Sequence, residues 1–175
     1  MRQFLIGLAL VLAAMPAGAQ TVDKNLSNCE SKDIELSISG CNAMLQAKPA
    51  MIPKFRLAAY MTRGLRYHDK GLEEQAIADF TNAMALKPAA DTLATLHAAR
   101  GMAYYAKNLY PQSIADFSET IALKPDYADA YKLRGGAYQM NGQLDNAVAD
   151  YRAALKLEPD AQAVKDVLKR LGAKP

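Results

Sequence analysis

The sequence of 175 residues contains no tryptophan and only two cysteines and two histidines. Cys29 and Cys41 are not spaced as C-x-x-C, and neither His68 nor His97 has a partner at metal-ligand spacing. Glycine-rich phosphate loops and nucleophile elbows are also missing. We therefore expect no catalytic residues, no metal, no cofactor and no enzyme built on this chain.

Charge of one sign is equally scarce. Lysine and arginine number 21 and aspartate and glutamate 18, which gives a formal net charge of +3, and the two signs are interspersed. A nucleic-acid-binding surface needs a basic patch or stripe. We therefore expect no nucleic-acid partner.

Long hydrophobic runs are missing except at the start of the chain. Phe4 to Ala14 (FLIGLALVLAA) is an apolar run of 11 residues, followed by the small residues Ala17-Gly18-Ala19. A membrane-spanning helix needs about 20 apolar residues, so this run is typical of a secretory signal peptide, residues 1–19, cleaved before Gln20. We expect an exported protein without membrane insertion after cleavage, periplasmic rather than fully secreted.

What the sequence does contain is one stretch of 26 residues in three versions. The three versions span residues 63–88, 100–125 and 134–159, so their starts lie 37 and 34 residues apart. Self-similarity with a period in the mid-thirties indicates a helical solenoid.

Each version contains two stretches of helical periodicity separated by a short break. Asn141-Gly142 provides the break in the third version and Gly71 in the first. The second version has Asn108 instead, and Pro111 suits the first turn of the helix that follows. Each version therefore predicts a helical hairpin.

This pattern resembles the tetratricopeptide repeat family. The resemblance covers residues 57–161 and implies an all-α fold, a helical-hairpin solenoid of three repeats at 57–90, 94–127 and 128–161. The third repeat carries the signature most fully, through Tyr131, Gly135, Tyr138, Ala147, Tyr151, Ala154 and Pro159. The first carries it through Tyr60, Gly64, Tyr67, Ala76, Phe80, Ala83 and Pro88, and the second through Gly101, Tyr104, Phe117 and Pro125.

One glycine recurs inside the first helix of every repeat. A glycine within a helix costs about 1 kcal/mol relative to alanine, so its recurrence indicates a close approach of two helices. By alignment, Gly64, Gly101 and Gly135 face the small residues Ala76, Ser113 and Ala147.

An arginine precedes each of these glycines, where the family usually has an aliphatic residue. An aspartate follows each arginine 16 positions later. We interpret the two as an ion pair that joins the helices of one hairpin, and the alternative is a row of arginines that binds an anion. The pairs are Arg63–Asp79, Arg100–Asp116 and Arg134–Asp150.

The ends of the chain complete the solenoid. Residues 37–49 (SISGCNAMLQAKP) resemble residues 76–88 (AIADFTNAMALKP), with Ile, Asn-Ala-Met and Lys-Pro in the same order and Cys41 in the place of Phe80. We therefore expect an N-terminal strap and degenerate half repeat within residues 20–56, without a first helix. Residues 162–175 predict a capping helix and tail.

The two cysteines lie in this N-terminal segment. In an exported chain, two cysteines favour a disulfide over a metal site. We expect Cys29 and Cys41 to form a structural disulfide; a redox-active pair is the alternative.

The resemblance also implies a function, because repeats of this family commonly serve as adaptors and assembly factors. We expect a protein-interaction module whose groove takes an apolar or amphipathic protein segment, since only Lys132 fits a groove for acidic tails. The alternative is a self-assembling structural protein, or a groove covered by the N-terminal strap. Carried over by alignment, the groove positions are Met61, Leu65, His68, Ala98, Met102, Tyr105, Lys132, Gly136 and Gln139.

Overall fold

The computed structural model describes residues 24–47 and 53–174, and the predicted signal peptide lies outside this part of the chain. All regular elements of the described residues are helices. They are α1 (24–29), α2 (Ile34–Gln46), α3 (Pro53–Asp69), α4 (Glu73–Met84), α5 (Ala90–Ala106), α6 (Tyr110–Leu123), α7 (Ala128–Met140), α8 (Leu144–Leu157) and α9 (Gln162–Arg170).

From α2 to α9, each helix packs against the next helix along the chain. The pairs α3–α4, α5–α6 and α7–α8 are the hairpins of the three repeats, and α9 packs on α8. The predicted all-α helical-hairpin solenoid is therefore confirmed. Within the described ranges, no helix is long and apolar enough to cross a membrane.

The hairpin turns share one backbone conformation. Gly71, Asn108 and Gly142 all have positive φ, between 60° and 77°. Asparagine tolerates this left-handed region better than other residues with a side chain, which explains how the second hairpin turns without a glycine. In each turn the next residue donates its amide to a carbonyl five residues back, as Leu109 does to Tyr104 at 2.9 Å.

The recurrent glycines accommodate aromatic rings. A Cβ atom at Gly64 would lie 2.7 Å from the ring of Phe80, and one at Gly101 would lie 3.0 Å from the ring of Phe117. Gly135 stands in the same relation to Tyr151, at 3.0 Å.

The prediction that these glycines face Ala76, Ser113 and Ala147 therefore left out the residues that contact them most closely. The ring one turn further along the second helix makes the tight contact, because only a glycine leaves room for it. Of the three small residues, Ser113 also contacts its glycine directly, since its hydroxyl donates to the Gly101 carbonyl at 2.9 Å.

The arginine before each glycine binds the aspartate of its own hairpin through two hydrogen bonds. Arg100 donates from Nε and Nη2 to the two oxygens of Asp116, both at 2.8 Å, and Asp116 is buried. These bonds to Asp116 raise the pKa of Arg100 above its usual value. The same pairing joins Arg63 to Asp79 and Arg134 to Asp150.

The third nitrogen of each guanidinium reaches the preceding repeat. Nη1 of Arg100 donates to the Thr81 hydroxyl on α4 at 3.0 Å, and Nη1 of Arg134 donates to the Ser118 hydroxyl on α6 at 3.0 Å. Arg63 reaches Asn42 on α2 in the same way, at 2.5 Å. Because all three arginine nitrogens are engaged, the row is built for cohesion between repeats rather than for an anion.

His97 takes part in this network. It stands where Tyr60 and Tyr131 stack on the arginines of the outer repeats, at 5.8 and 5.9 Å. Its Nδ1 lies 2.8 Å from Asp116 Oδ1. The middle aspartate therefore has a second partner beside its arginine.

The N-terminal half repeat does have a first helix, contrary to the expectation from its length. The short helix α1 fills that place, and the Ser37 hydroxyl donates to the Cys29 carbonyl at 2.6 Å, as Ser113 does to Gly101. Cys29 thus occupies the glycine position and Cys41 the aromatic position, and the structure joins the two in a disulfide. The bond replaces the ring-on-glycine contact of the full repeats.

The C-terminal helix α9 covers the last hairpin through Val164 and Leu168, which are buried against Ala147 and Tyr151. Ala163, the residue before Val164, is exposed. Arg152 holds the tail by donating to the carbonyl of Lys174 at 3.0 and 3.1 Å.

We expect the disulfide to stabilise the first layer of the solenoid selectively. Closing a loop over a sequence separation of 12 contributes about 2 to 3 kcal/mol. Reduction should therefore increase amide exchange in α1 and α2 while the three full repeats stay helical. Thiol labelling of unreduced, denatured protein should find no free thiol, and two labelled cysteines would contradict the prediction.

Replacing Gly101 by leucine should press on the ring of Phe117 and destabilise the middle hairpin by about 1 to 3 kcal/mol. Gly136→Ala is the matched control, because a Cβ there has no neighbour closer than 3.8 Å. Thermal unfolding should show a lower melting temperature for Gly101→Leu alone. An unchanged melting temperature would contradict the role of the ring.

Replacing Arg100 by methionine should leave Asp116 buried with one partner, His97, and lower the free energy of unfolding by about 3 kcal/mol. Adding His97→Tyr should remove that partner too and increase the loss. Adding Asp116→Leu instead should recover much of the stability, because no buried charge remains. Denaturant unfolding of the three variants checks this order, and equal stability of wild type and Arg100→Met would refute it.

Candidate functional site

The concave side of the solenoid carries a pocket of about 380 Å³ between the first helices of the three repeats. We call it the groove pocket. Its walls come from α3, α5 and α7, with one contribution from α6, and are mostly apolar. The lining residues are His68, Met102, Tyr105, Ala106, Phe117, Lys132, Leu133 and Gly136.

The middle helix α5 forms one wall because it carries apolar residues on two faces. Leu96, Ala99 and Ala103 are buried in the core beside Phe80. Met102 and Tyr105 lie on the other side, in the pocket, and Tyr105 is 37% exposed. Apolar side chains of α5 that do not pack in the core either contact a bound partner or remain exposed to water.

Five of the nine predicted groove residues line this pocket together. They come from three helices that are separate in sequence, which supports the alignment used to select them. These residues are His68, Met102, Tyr105, Lys132 and Gly136.

The other four predicted residues lie elsewhere. Leu65 is 44% exposed beyond the pocket, and Met61 is half-buried against the core of the first repeat. Gln139 accepts a hydrogen bond from the Tyr151 hydroxyl at 3.2 Å. Ala98 is buried and does not line the pocket, so its assignment to the groove surface was wrong.

Sequence reasoning missed Ala106, Phe117 and Leu133. Phe117 is a residue of the repeat signature whose ring is buried, and it also forms part of the pocket wall. Leu133 follows the predicted groove residue Lys132 in sequence, and this position is the feature that could have identified it as a lining residue.

His68 and Lys132, two polar residues of the pocket lining, have acidic partners. Nδ1 of His68 lies 2.7 Å from Glu73 Oε2. Lys132 donates to Asp129 at 2.8 Å and to Glu158 at 2.5 Å, and these two bonds raise the pKa of the Lys132 ammonium.

This arrangement is suited to binding. An apolar wall beside a paired lysine can bury an apolar side chain of a partner without leaving the ammonium unpaired. In the described residues there is no cluster of three or more His, Cys, Asp or Glu side chains that could hold a metal ion.

The N-terminal strap does not enter the pocket where the structure describes it. Residues 24–33 supply none of the lining side chains, and Cys29 packs instead against Met44 and Ala59. The Ser31 carbonyl accepts a hydrogen bond from Arg66 at 3.2 Å. The described strap therefore closes the end of the stack.

Family models match all three repeats. Models described as tetratricopeptide repeat match residues 57–89 and 128–161, and one described as TPR repeat matches residues 101–142. No curated protein matches the sequence.

Solved structures with the same fold include peptide-bound domains. The second TPR of Spaghetti (RPAP3), bound to the HSP90 peptide SRMEEVD, is 30% identical, covers 58% of this chain and 91% of its own, and has a TM-score of 0.53. The second TPR domain of human RPAP3, in complex with the HSP70 peptide SGPTIEEVD, is 29% identical over 70% of this chain and 100% of its own, with a TM-score of 0.63.

A bacterial structure matches more of the chain at lower identity. MamA from Desulfovibrio magneticus is 18% identical over 90% of this chain and 85% of its own, with a TM-score of 0.74, and shares the fold. Three repeat matches, the helical-hairpin solenoid and a domain at 30% identity lead to one conclusion. This chain belongs to the tetratricopeptide repeat family.

Proposed function

We propose that this chain is a non-catalytic adaptor or assembly factor of the cell envelope that holds an apolar or amphipathic segment of a partner protein in its concave groove. The observation that carries the proposal is the groove pocket, whose walls are mostly apolar and come from all three repeats. A protein-interaction role agrees with the peptide-bound domains to which the chain is similar.

The chemistry of the groove favours an apolar segment over an acidic tail. The peptides in those two domains end in Glu-Glu-Val-Asp. Lysine or arginine with free donors would be needed to receive such carboxylates. Lys132 lines the groove pocket here, but Asp129 and Glu158 already accept its hydrogen bonds.

The envelope location rests on two features of the chain. One is the signal-peptide pattern of residues 1–19, and the other is the Cys29–Cys41 disulfide. Disulfides persist in oxidising compartments such as the periplasm and are rare in the cytosol. We propose the periplasm as the site of action.

The test is a pair of charge substitutions in the groove. Tyr105→Glu and Met102→Glu, two changes in the pocket lining, should abolish recovery of the partner from an envelope extract, because a carboxylate in the pocket opposes an apolar segment. Leu144→Glu is the control, since Leu144 is 50% exposed on α8 and does not line the pocket. Circular dichroism should show that all three variants stay folded.

Unchanged partner recovery by folded Tyr105→Glu and Met102→Glu would refute the groove as the binding site. Light scattering over a range of concentrations tests the alternative of self-assembly. A constant monomer mass supports an adaptor, whereas growth into larger species that Met102→Glu abolishes would show that the groove binds further copies of this chain.

A further inference from the structure

We propose that the groove pocket selects a partner segment in which a bulky apolar side chain stands next to a lysine or arginine. This inference rests on the proposed function, because it names the chemistry of the segment that the groove holds. It is carried by a glycine without a packing role and by the charges at the rim of the pocket.

Gly135 and Gly136 are neighbours in α7, but packing requires only the first. A Cβ atom at Gly135 would lie 3.0 Å from the Tyr151 ring. At Gly136 the nearest atoms are the Tyr151 hydroxyl at 3.8 Å and Cε2 of Tyr105 at 4.0 Å, which are ordinary contact distances. Glycine destabilises a helix relative to alanine, and no clash accounts for it at this position.

What Gly136 does provide is space in the pocket. A side chain there would extend between Tyr105, which lines the pocket, and Tyr151. It would occupy part of a volume of about 380 Å³ that the lining otherwise leaves open. Glycine at position 136 therefore keeps the pocket deep enough for a side chain from outside.

The walls around that space define the apolar part of the ligand. The large apolar residues of the lining are Met102, Tyr105, Leu133 and the buried Phe117. Large apolar side chains that fill such pockets commonly supply most of the binding energy of an interface. Methionine adds a flexible wall that adapts to the shape of the ligand.

The rim defines the polar part of the ligand. Among the ionised groups that line the pocket or pair with its lining residues, one ammonium, Lys132, stands against three carboxylates, Asp129, Glu158 and Glu73. The Asp129 and Glu158 side chains are 56% and 49% exposed. They are therefore accessible to a cation on a bound segment.

The rim is opposite in sign to the chain as a whole. The formal net charge of the full sequence is +3, so unspecific attraction favours an acidic peptide. A preference for a basic peptide would therefore report the local field of the pocket rather than the charge of the protein.

The experiment compares two synthetic probes on the folded mature protein. One is a fluorescein-labelled amphipathic peptide of leucine, alanine and lysine with a central phenylalanine, and its twin carries glutamate at every lysine. By fluorescence anisotropy, the lysine peptide should bind about threefold to fivefold more tightly, as expected for partly exposed charge pairs. The preference should shrink in 1 M salt, where the screening length falls to about 3 Å.

Two sets of variants separate the pocket from the rim. Gly136→Leu should abolish binding of the lysine peptide, whereas Gly136→Ala should retain most of it. Glu158→Lys should remove or reverse the preference for lysine. The matched control, Glu119→Lys, changes the net charge equally at an exposed position on α6 and should leave the preference unchanged.

Three results would overturn the inference. Equal binding of the two peptides, or tighter binding of the glutamate peptide, would refute the charge selection while leaving the groove itself intact. Full binding by folded Gly136→Leu would refute the pocket. A peptide that displaces a dimer of the protein, seen by light scattering, would show that a second copy is the natural occupant.

Discussion

The guanidinium group in the middle of each repeat is the contact on which the rest of the structure depends. It binds a buried aspartate on the second helix of its own hairpin and a hydroxyl or amide on the preceding hairpin. One side chain thereby fixes both the angle within a repeat and the contact between repeats. The phenolic rings that flank the outer two arginines cover their remaining faces. The groove takes its shape from this arrangement, since its walls are the first helices that carry the arginines.

The fold could be predicted from the sequence because its determinants are local and repeated. A period of 34 to 37 residues, a break in each version and one glycine at a fixed phase are sufficient to specify stacked hairpins. The arginine–aspartate pairs were predictable for the same reason, since a separation of 16 recurs three times. The ring on each glycine was not identified, because an alignment places positions beside each other without showing which side chain spans the gap.

The candidate site was predicted less completely. Five of the predicted groove residues line one pocket, because they occupy equivalent positions in successive repeats: His68, Met102, Tyr105, Lys132 and Gly136. Ala98 shares that phase and is nevertheless buried, because the length of a side chain decides whether it reaches a concave surface. Phe117 belongs to the core and also lines the pocket. A sequence pattern assigns each position to either the core or the surface, so it could not predict both roles for one residue. The pairing of Lys132 with Glu158 could not be predicted, because Glu158 lies 26 residues away in sequence and becomes a neighbour only after folding.

The reach of each guanidinium toward the preceding hairpin gives the solenoid a direction. Asn42 receives Arg63, Thr81 receives Arg100, and Ser118 receives Arg134. At the corresponding position of the last hairpin, Arg152 donates hydrogen bonds to the carbonyl of Lys174.

The arginine of each repeat thus needs an acceptor on the preceding hairpin to complete its hydrogen bonds, and none of the three arginines needs an acceptor on the following hairpin. A chain whose N-terminus emerges first during synthesis meets these requirements in the order in which it appears. By the same asymmetry, shortening the stack from its C-terminal end leaves the acceptors of Arg63, Arg100 and Arg134 in place for every repeat that remains, whereas shortening it from the N-terminal end does not.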